Sequence, residues 1–162
     1  MRRGSRWPNP SHYSRAGHAA ESGWSTLLEW ARDLFPGGDL GRWGEALAAR
    51  ELRRRRYFIL ERRWRCRIGE IDIVARDGEV LVVVEVKARS RSDYGPPIDA
   101  VDRDKRRKLE KLARAYLQAK KLSDVTVRFD LVGVTFSPGE KPRVEVFPDA
   151  LRFDNPGGLC YK

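Results

Sequence analysis

With 162 residues, 41% of them hydrophobic and 35% charged, the chain has room for one domain with a real core, and no apolar stretch reaches membrane-spanning length. A net charge of +10 and a pI near 10.1 point to polyanionic partners such as nucleic acid. Two cysteines without metal-type spacing, two histidines confined to a tail-like start (His12, His18) and no GxxxxGK[ST] loop argue against His-based zinc sites, Ser/His/Asp triads and phosphate-loop chemistry, leaving Asp, Glu, Lys and Arg as the inventory.

Residues 1–38 read as an N-terminal extension. Met1 to Ala20 is rich in Arg, Ser, Gly and Pro without hydrophobic period, the composition of disorder. Trp24, Leu27, Leu28, Ala31, Leu34 and Phe35 then recur at helical spacing. They predict an amphipathic helix docked on the domain, with a partner or membrane surface as the alternative. PGGD breaks the chain, and Asp39 is placed to cap a helix over LGRWGEALAARELRRRR. The extension through Gly38 holds only five of 33 basic and three of 23 acidic residues, so the positive field belongs mainly to the domain, read as residues 39–148 with a tail at 149–162.

YFILERRWRC, IGEIDIVAR and EVLVVVEVKAR predict three successive strands, the first two joined near Arg67 to Gly69 and the last two by a tight turn at Asp77-Gly78. SRSDYGPPI is a loop whose Tyr94, Gly95, Pro96 and Pro97 either shape the mouth of a site or form an ordinary turn. DRDKRRKLEKLARAYLQAKK follows as a helix with the stripe Leu109, Leu112, Ala113, Tyr116 and Leu117. VTVRFDLVGVTF returns as a strand parallel to the third, because a helical crossover separates them, and RVEVF adds another. The expected architecture is α/β, in the order α-β-β-β-α-β, with a mixed sheet flanked by helices.

An Asp77-Gly78 turn would set Arg76 opposite Glu79 and Glu70 opposite Glu85. Asp72, Glu70, Glu85 and Lys87 then project from one face, Asp72 lying diagonal to Glu85 at roughly 7 Å. A one-residue bulge in the turn would send Asp72 to the other face. Two carboxylates held close in a partly apolar sheet repel each other unless a cation or proton shares the site, and oxygen donors without His or thiolate suit Mg²⁺, with Mn²⁺ as a substitute. Lys87 can orient or help deprotonate a water, or neutralise charge on a phosphorane-like transition state. Glu45 shares a helical face with Gly41, Ala48, Ala49 and Leu52 and points inward. Metal-bound water or Lys87 would partner it, and Arg42 or Arg50 is the structural alternative.

GRWGEALAARELRRRRYFIL, GEIDIVARDG, LVVVEVKAR and RFDLV closely resemble the YraN-like family of small bacterial predicted nucleases, over about Leu40 to Val134. The resemblance implies the restriction-endonuclease-like core and the PD-(D/E)xK metal pattern. Glu45 would be its helix acid, Asp72 its central acid, and Glu85 with Lys87 its ExK half. Ile71 stands where that pattern has Pro. The same likeness suggests the Val86 carbonyl as a further metal ligand beside Asp72 and Glu85, and branched DNA as substrate.

Taken alone, an E-x-K triplet is more often a solvated strand face. Its place in an LVVV run, beside Asp72 and after Glu45, favours the catalytic reading. Asp130 is read as a strand-end acid paired with Arg128 or a helix terminus in preference to a metal ligand. The second helix carries a surplus of cations, so Arg103, Lys105, Arg106, Arg107, Lys108 and Lys111 are expected to bind nucleic-acid phosphates. Arg53 to Arg56 with Arg62, Arg63, Arg65 and Arg67 form a second cluster, whereas Trp64 and Tyr57 are assigned to the core in preference to base stacking.

The leading expectation is a cytoplasmic, Mg²⁺-dependent nuclease acting on DNA, with no membrane partner; a homodimer is left open. The alternatives are a nucleic-acid-binding module that keeps the nuclease fold without cutting, and an RNA-processing or repair accessory factor.

Overall fold

The computed structural model describes residues 40–90, 103–137, 140–150 and 159–161. The predicted N-terminal helix, the capping Asp39 and the loop Tyr94 to Pro97 lie outside the described residues. Helix α1 (Leu40–Arg54) buries Gly44, Leu47, Ala48, Ala49 and Leu52, and its last turn carries Arg53 and Arg54 where the carbonyl end of the helix dipole favours cations. Arg56, at φ 69°, closes the helix: its N–H and that of Tyr57 donate to the Arg53 and Leu52 carbonyls at 2.9 Å.

Strands β1 (Phe58–Cys66), β2 (Gly69–Asp77) and β3 (Val80–Ser90) follow as an antiparallel meander. Helix α2 (Arg103–Lys120) then crosses over to β4 (Val125–Phe136), which pairs in parallel with β3 from Val80↔Thr126 to Ser90↔Phe136. The antiparallel β5 (Arg143–Phe147) and β6 (Leu159–Tyr161) share the other edge of β4, at Leu131–Thr135 and Val125–Val127 respectively. The order along the sheet is β1-β2-β3-β4-β5. This is the expected α-β-β-β-α-β core of the restriction-endonuclease-like class, with β5 and β6 added. One of the added strands comes from the segment read from sequence as a tail.

The sheet separates two apolar layers. Leu47, Ala48, Ala49 and Leu52 of α1 pack on Ile73, Ala75, Val82, Val84, Val132 and Val134. On the opposite face Leu109, Leu112, Ala113, Tyr116 and Leu117 of α2 pack on Ile71, Val74, Leu81, Val83, Val127 and Phe129. The central strands β3 and β4 therefore read as near-continuous apolar runs because both their faces are covered. Trp64 lies edge-on to Tyr116 with ring centroids 5.2 Å apart, and Tyr57 is buried in the α1 layer, so both aromatics serve the core.

The β2–β3 turn differs from the sequence expectation by one position. Asp77 pairs with Val80, so Gly78 and Glu79 are the turn residues, and every facing pair shifts by two. Gly78, at φ 59°, takes the first central position, the place glycine holds in a type II′ turn. Asp77 stays in the strand because its carboxylate accepts from Arg128 at 2.9 Å. A shift of two leaves the side chains of the regular ladder, Ile73 to Asp77 and Val80 to Val84, on their expected sides, since the pleat has a period of two. Ile71, however, packs with the α2 layer and Ile73 with the α1 layer, so the expectation that Glu70 and Asp72 share one regular face with Glu85 and Lys87 is not met.

Asp130 is fully buried in the middle of β4 and not at a strand end, and its expected pairing with Arg128 is present. It accepts hydrogen bonds from the Tyr57 hydroxyl at 3.1 Å, the Arg128 guanidinium at 2.9 Å and the Asp149 N–H at 2.9 Å. Burial, and then the charge of Asp130, push the Tyr57 phenol up to about 12. Asp130→Ala leaves Arg128 without its main partner and is expected to destabilise the protein by about 3–5 kcal/mol in urea unfolding.

Gly44 marks a close approach of α1 to the sheet: a Cβ there would lie 2.6 Å from the Ala88 Cβ. Gly44→Ala is expected to cost about 1–3 kcal/mol, partly recovered in the Gly44→Ala/Ala88→Gly double variant, as read by denaturant midpoints in a double-mutant cycle.

Candidate active site

Glu85 and Lys87 continue the α2-facing row of Leu81 and Val83, which explains why a buried strand carries opposite charges two residues apart. Glu85 is 4% exposed, and burial of its charge is offset by two amines. Lys87 Nζ lies 3.0 Å from its Oε1, and Lys105 Nζ, from the first turn of α2, lies 2.9 Å from the same atom.

Asp72 stands where β2 parts from β3. The described ladder between these strands runs from Asp77↔Val80 to Ile73↔Val84. Beyond it, the Val86 N–H donates to Asp72 Oδ2 at 2.7 Å, so the side chain takes over from the partner strand's backbone. Alternation breaks at the same place, Ile73 packing in the α1 layer and Ile71 in the α2 layer. On β1, Arg63 stands opposite Asp72, between the pairs Arg62↔Ile73 and Trp64↔Ile71, and adopts a left-handed φ of 53°. The irregularity lies at Asp72 itself and not in the turn, where sequence reasoning had placed the risk of a bulge.

Through this fork, acids from both faces approach one another. Glu45 on α1, Glu70 and Asp72 offer carboxylate oxygens that lie within 4.8 Å of one another. Arg63 Nε is 3.0 Å from Glu70 Oε1 and 3.8 Å from Glu45 Oε2, and Arg65 Nε is 2.6 Å from Glu70 Oε2. Glu70 is held below its ordinary range: burial would raise it, but the hydrogen bonds from Arg63 and Arg65 outweigh burial. Asp72 is pushed up to about 7, first by burial, then by the charge of Glu85, with Glu45 adding to the effect; the Val86 N–H and Lys105 act against them.

The sequence-derived site residues are thus brought to one place in two sets. Asp72 joins Glu45 and Glu70, while Glu85 joins Lys87 and Lys105. Three carboxylates without His or thiolate fit a hard cation. A strand residue's C=O leaves on the same side as its N–H, so the Val86 carbonyl also faces β2.

From the sequence Glu70 is expected on the face of Glu85 and Lys87 and has no assigned role, whereas it stands with Glu45 and Asp72; Lys105 is counted from the sequence with the phosphate-binding cations and Arg63 only with the basic cluster. The available signal for Glu70 was its spacing of two from Asp72. Of the remaining residues on α2, Arg107, Lys108 and Lys111 are exposed and Arg106 is half-buried; the side chain of Arg103 lies outside the described residues. Lys108 passes close to Gly69, at the start of β2.

A family model described as "Uncharacterised protein family UPF0102" matches residues 44–134, which contain all of these acids and amines. The chain is 50% identical over 112 residues to a UPF0102 protein of Geobacter metallireducens, covering 69% of this chain and 91% of that relative. It is 47% identical over 111 residues to one of Syntrophus aciditrophicus (68% and 87% covered). A third, from Dictyoglomus turgidum, is 37% identical over 114 residues (70% and 97% covered).

The raised Asp72 carboxyl has a consequence for stability. The folded protein holds a proton that the unfolded chain releases near pH 4, so cation-free stability falls as pH rises from about 4 to about 7 and is level above that, by roughly 4 kcal/mol from this group, of which roughly 3 kcal/mol falls between pH 5 and pH 8. Urea midpoints measured in EDTA at pH 5 and pH 8 should show this loss in the wild type and a much smaller one in Asp72→Asn.

Proposed function

The chain belongs to the UPF0102 (YraN) family, and from the site carried by the matched segment we propose that it is a divalent-cation-dependent nuclease hydrolysing phosphodiester bonds in DNA, with branched or repair intermediates as the substrates. One observation carries this reading: three carboxylates from α1 and β2 lie within 4.8 Å of one another where β2 parts from β3, and Glu85 on β3, whose charge acts on Asp72, holds two amines, in a chain of net charge +10. Buried like charges are costly, and their concentration at one point in an otherwise apolar sheet supports a site selected for chemistry.

Asp72 is the natural centre of a cation site, with Glu45 and Glu70 beside it, Glu85 on the neighbouring strand and the Val86 carbonyl facing it. Mg²⁺, or Mn²⁺ in its place, would supply Lewis-acid activation of water and charge neutralisation at the phosphoryl oxygens. Lys87, fixed against Glu85 on a strand paired with β4, orients the attacking water or helps to deprotonate it, and offsets charge as the phosphorus becomes pentacovalent. Glu45 supports this arrangement from α1, its position set by the close contact of Gly44 with Ala88. The exposed Arg107, Lys108 and Lys111 of α2 hold backbone phosphates, contacts that position a strand without reading its bases. Among the described residues no helix is long and apolar enough to cross a membrane, and the free Cys66 fits a reducing cytoplasm as the place of action.

The test is cleavage of single-stranded, duplex and branched DNA under Mg²⁺ or Mn²⁺ titration. Cutting should require the cation, and Asp72→Asn, Glu85→Gln and Lys87→Ala should each lower it by about 100-fold or more while DNA affinity stays within about threefold. A wild type that cuts none of these substrates with either cation, yet binds DNA with a salt-dependent affinity, would be a non-catalytic binding module on the nuclease fold, and the reading would be wrong.

A further inference from the structure

Two amines from different elements meet at one oxygen of Glu85: Lys87 Nζ at 3.0 Å and Lys105 Nζ at 2.9 Å. Their backbones differ in freedom. Lys87 sits on β3, with Gly133 of β4 as its partner in the ladder. Lys105 stands in the first turn of α2, next to Arg106, Arg107 and Lys108. One ammonium balances one carboxylate; the second is retained by the surrounding acids, and Lys105 also lowers the cost of charging Asp72. A divalent cation entering between Asp72 and Glu85 brings positive charge to the same oxygens and repels both amines. The amine on a flexible four-carbon stem at the start of a helix can withdraw with little strain, and a phosphate bound on the basic face of that helix offers it an anionic partner.

We propose that Lys105 is a second amine of the active site, which neutralises Glu85 in the cation-free protein and transfers to a phosphodiester oxygen when a divalent cation and DNA are bound. This ties the basic face of α2 to the cutting centre. Its role in cleavage rests on the nuclease reading, whereas the exchange itself is a binding event that can be measured without turnover.

The experiment combines Mn²⁺ calorimetry on the protein alone with fluorescence titration of labelled duplex and branched DNA, in EDTA and in Ca²⁺. The proteins are the wild type, Lys105→Met, Lys105→Arg and Arg107→Met. Without DNA, Lys105→Met should take up Mn²⁺ about fivefold more tightly, because a competing charge has left Glu85. It should also lose about tenfold in DNA affinity in Ca²⁺ and much less in EDTA. Lys105→Arg, which keeps the charge, should stay within about twofold of the wild type for Mn²⁺. Arg107→Met, an ordinary backbone contact, should weaken DNA binding equally in both conditions.

The proposal is overturned if Lys105→Met weakens Mn²⁺ uptake, as a merely structural ion pair would, or if its loss of DNA affinity is the same with and without Ca²⁺. Absence of Mn²⁺ uptake by every protein, with or without DNA, overturns it as well. Should the wild type cut no DNA while these binding differences hold, the nuclease reading fails and the exchange stands.

Discussion

The hydrogen bond from the Val86 N–H to Asp72 Oδ2, 2.7 Å long, holds the candidate site together. It forms where β2 and β3 separate, and it satisfies a backbone donor that the ladder no longer serves. Without such an acceptor, opening the sheet at this depth would leave a buried N–H unpaired. With it, Glu45, on the α1 side, and Glu85, in the α2-facing row of β3, both act on the same carboxylate. The left-handed Arg63 on β1 accommodates the distortion from the outer side and offers its guanidinium to Glu70 and Glu45.

Two aspartates on apolar strands, Asp130 fully buried and Asp72 half-buried, show how the same residue type is put to opposite uses. Asp130 is surrounded by donors, among them Tyr57 and Arg128, so its charge is matched and its position locked. This network joins the end of α1 to β4, the turn after β5 and, through Asp77, the β2–β3 hairpin. Asp72 has one backbone N–H and the fields of two other acids, so burial and repulsion lift it to about 7. A group poised in this way gains most from an arriving cation, whereas Asp130 has nothing left to gain. The difference lies in the surroundings, since both are acids on apolar strands.

Much of the site was legible in the sequence. The LVVV run marked a strand covered on both faces, and Glu85 and Lys87 had to share a side because the pleat repeats every two residues. That parity survived the error in the turn, where Asp77 remained in its strand through its ion pair with Arg128 and displaced the register by two. Glu45 was directed inward by its place on the stripe of α1, and Asp130 was recognised as a paired acid from its neighbour Arg128.

What the chain's own order determined is therefore what local periodicity can encode: the elements, the side of each residue and the likeness to a family. Tertiary structure alone decided which charges meet. Glu70 stands beside Asp72 and Glu45 because β2 bends at the fork, and Lys105 reaches Glu85 because the crossover brings the start of α2 over β3. These encounters join residues far apart in the chain, so no local pattern records them; they follow from the packing of two helices on opposite faces of one sheet that opens between them.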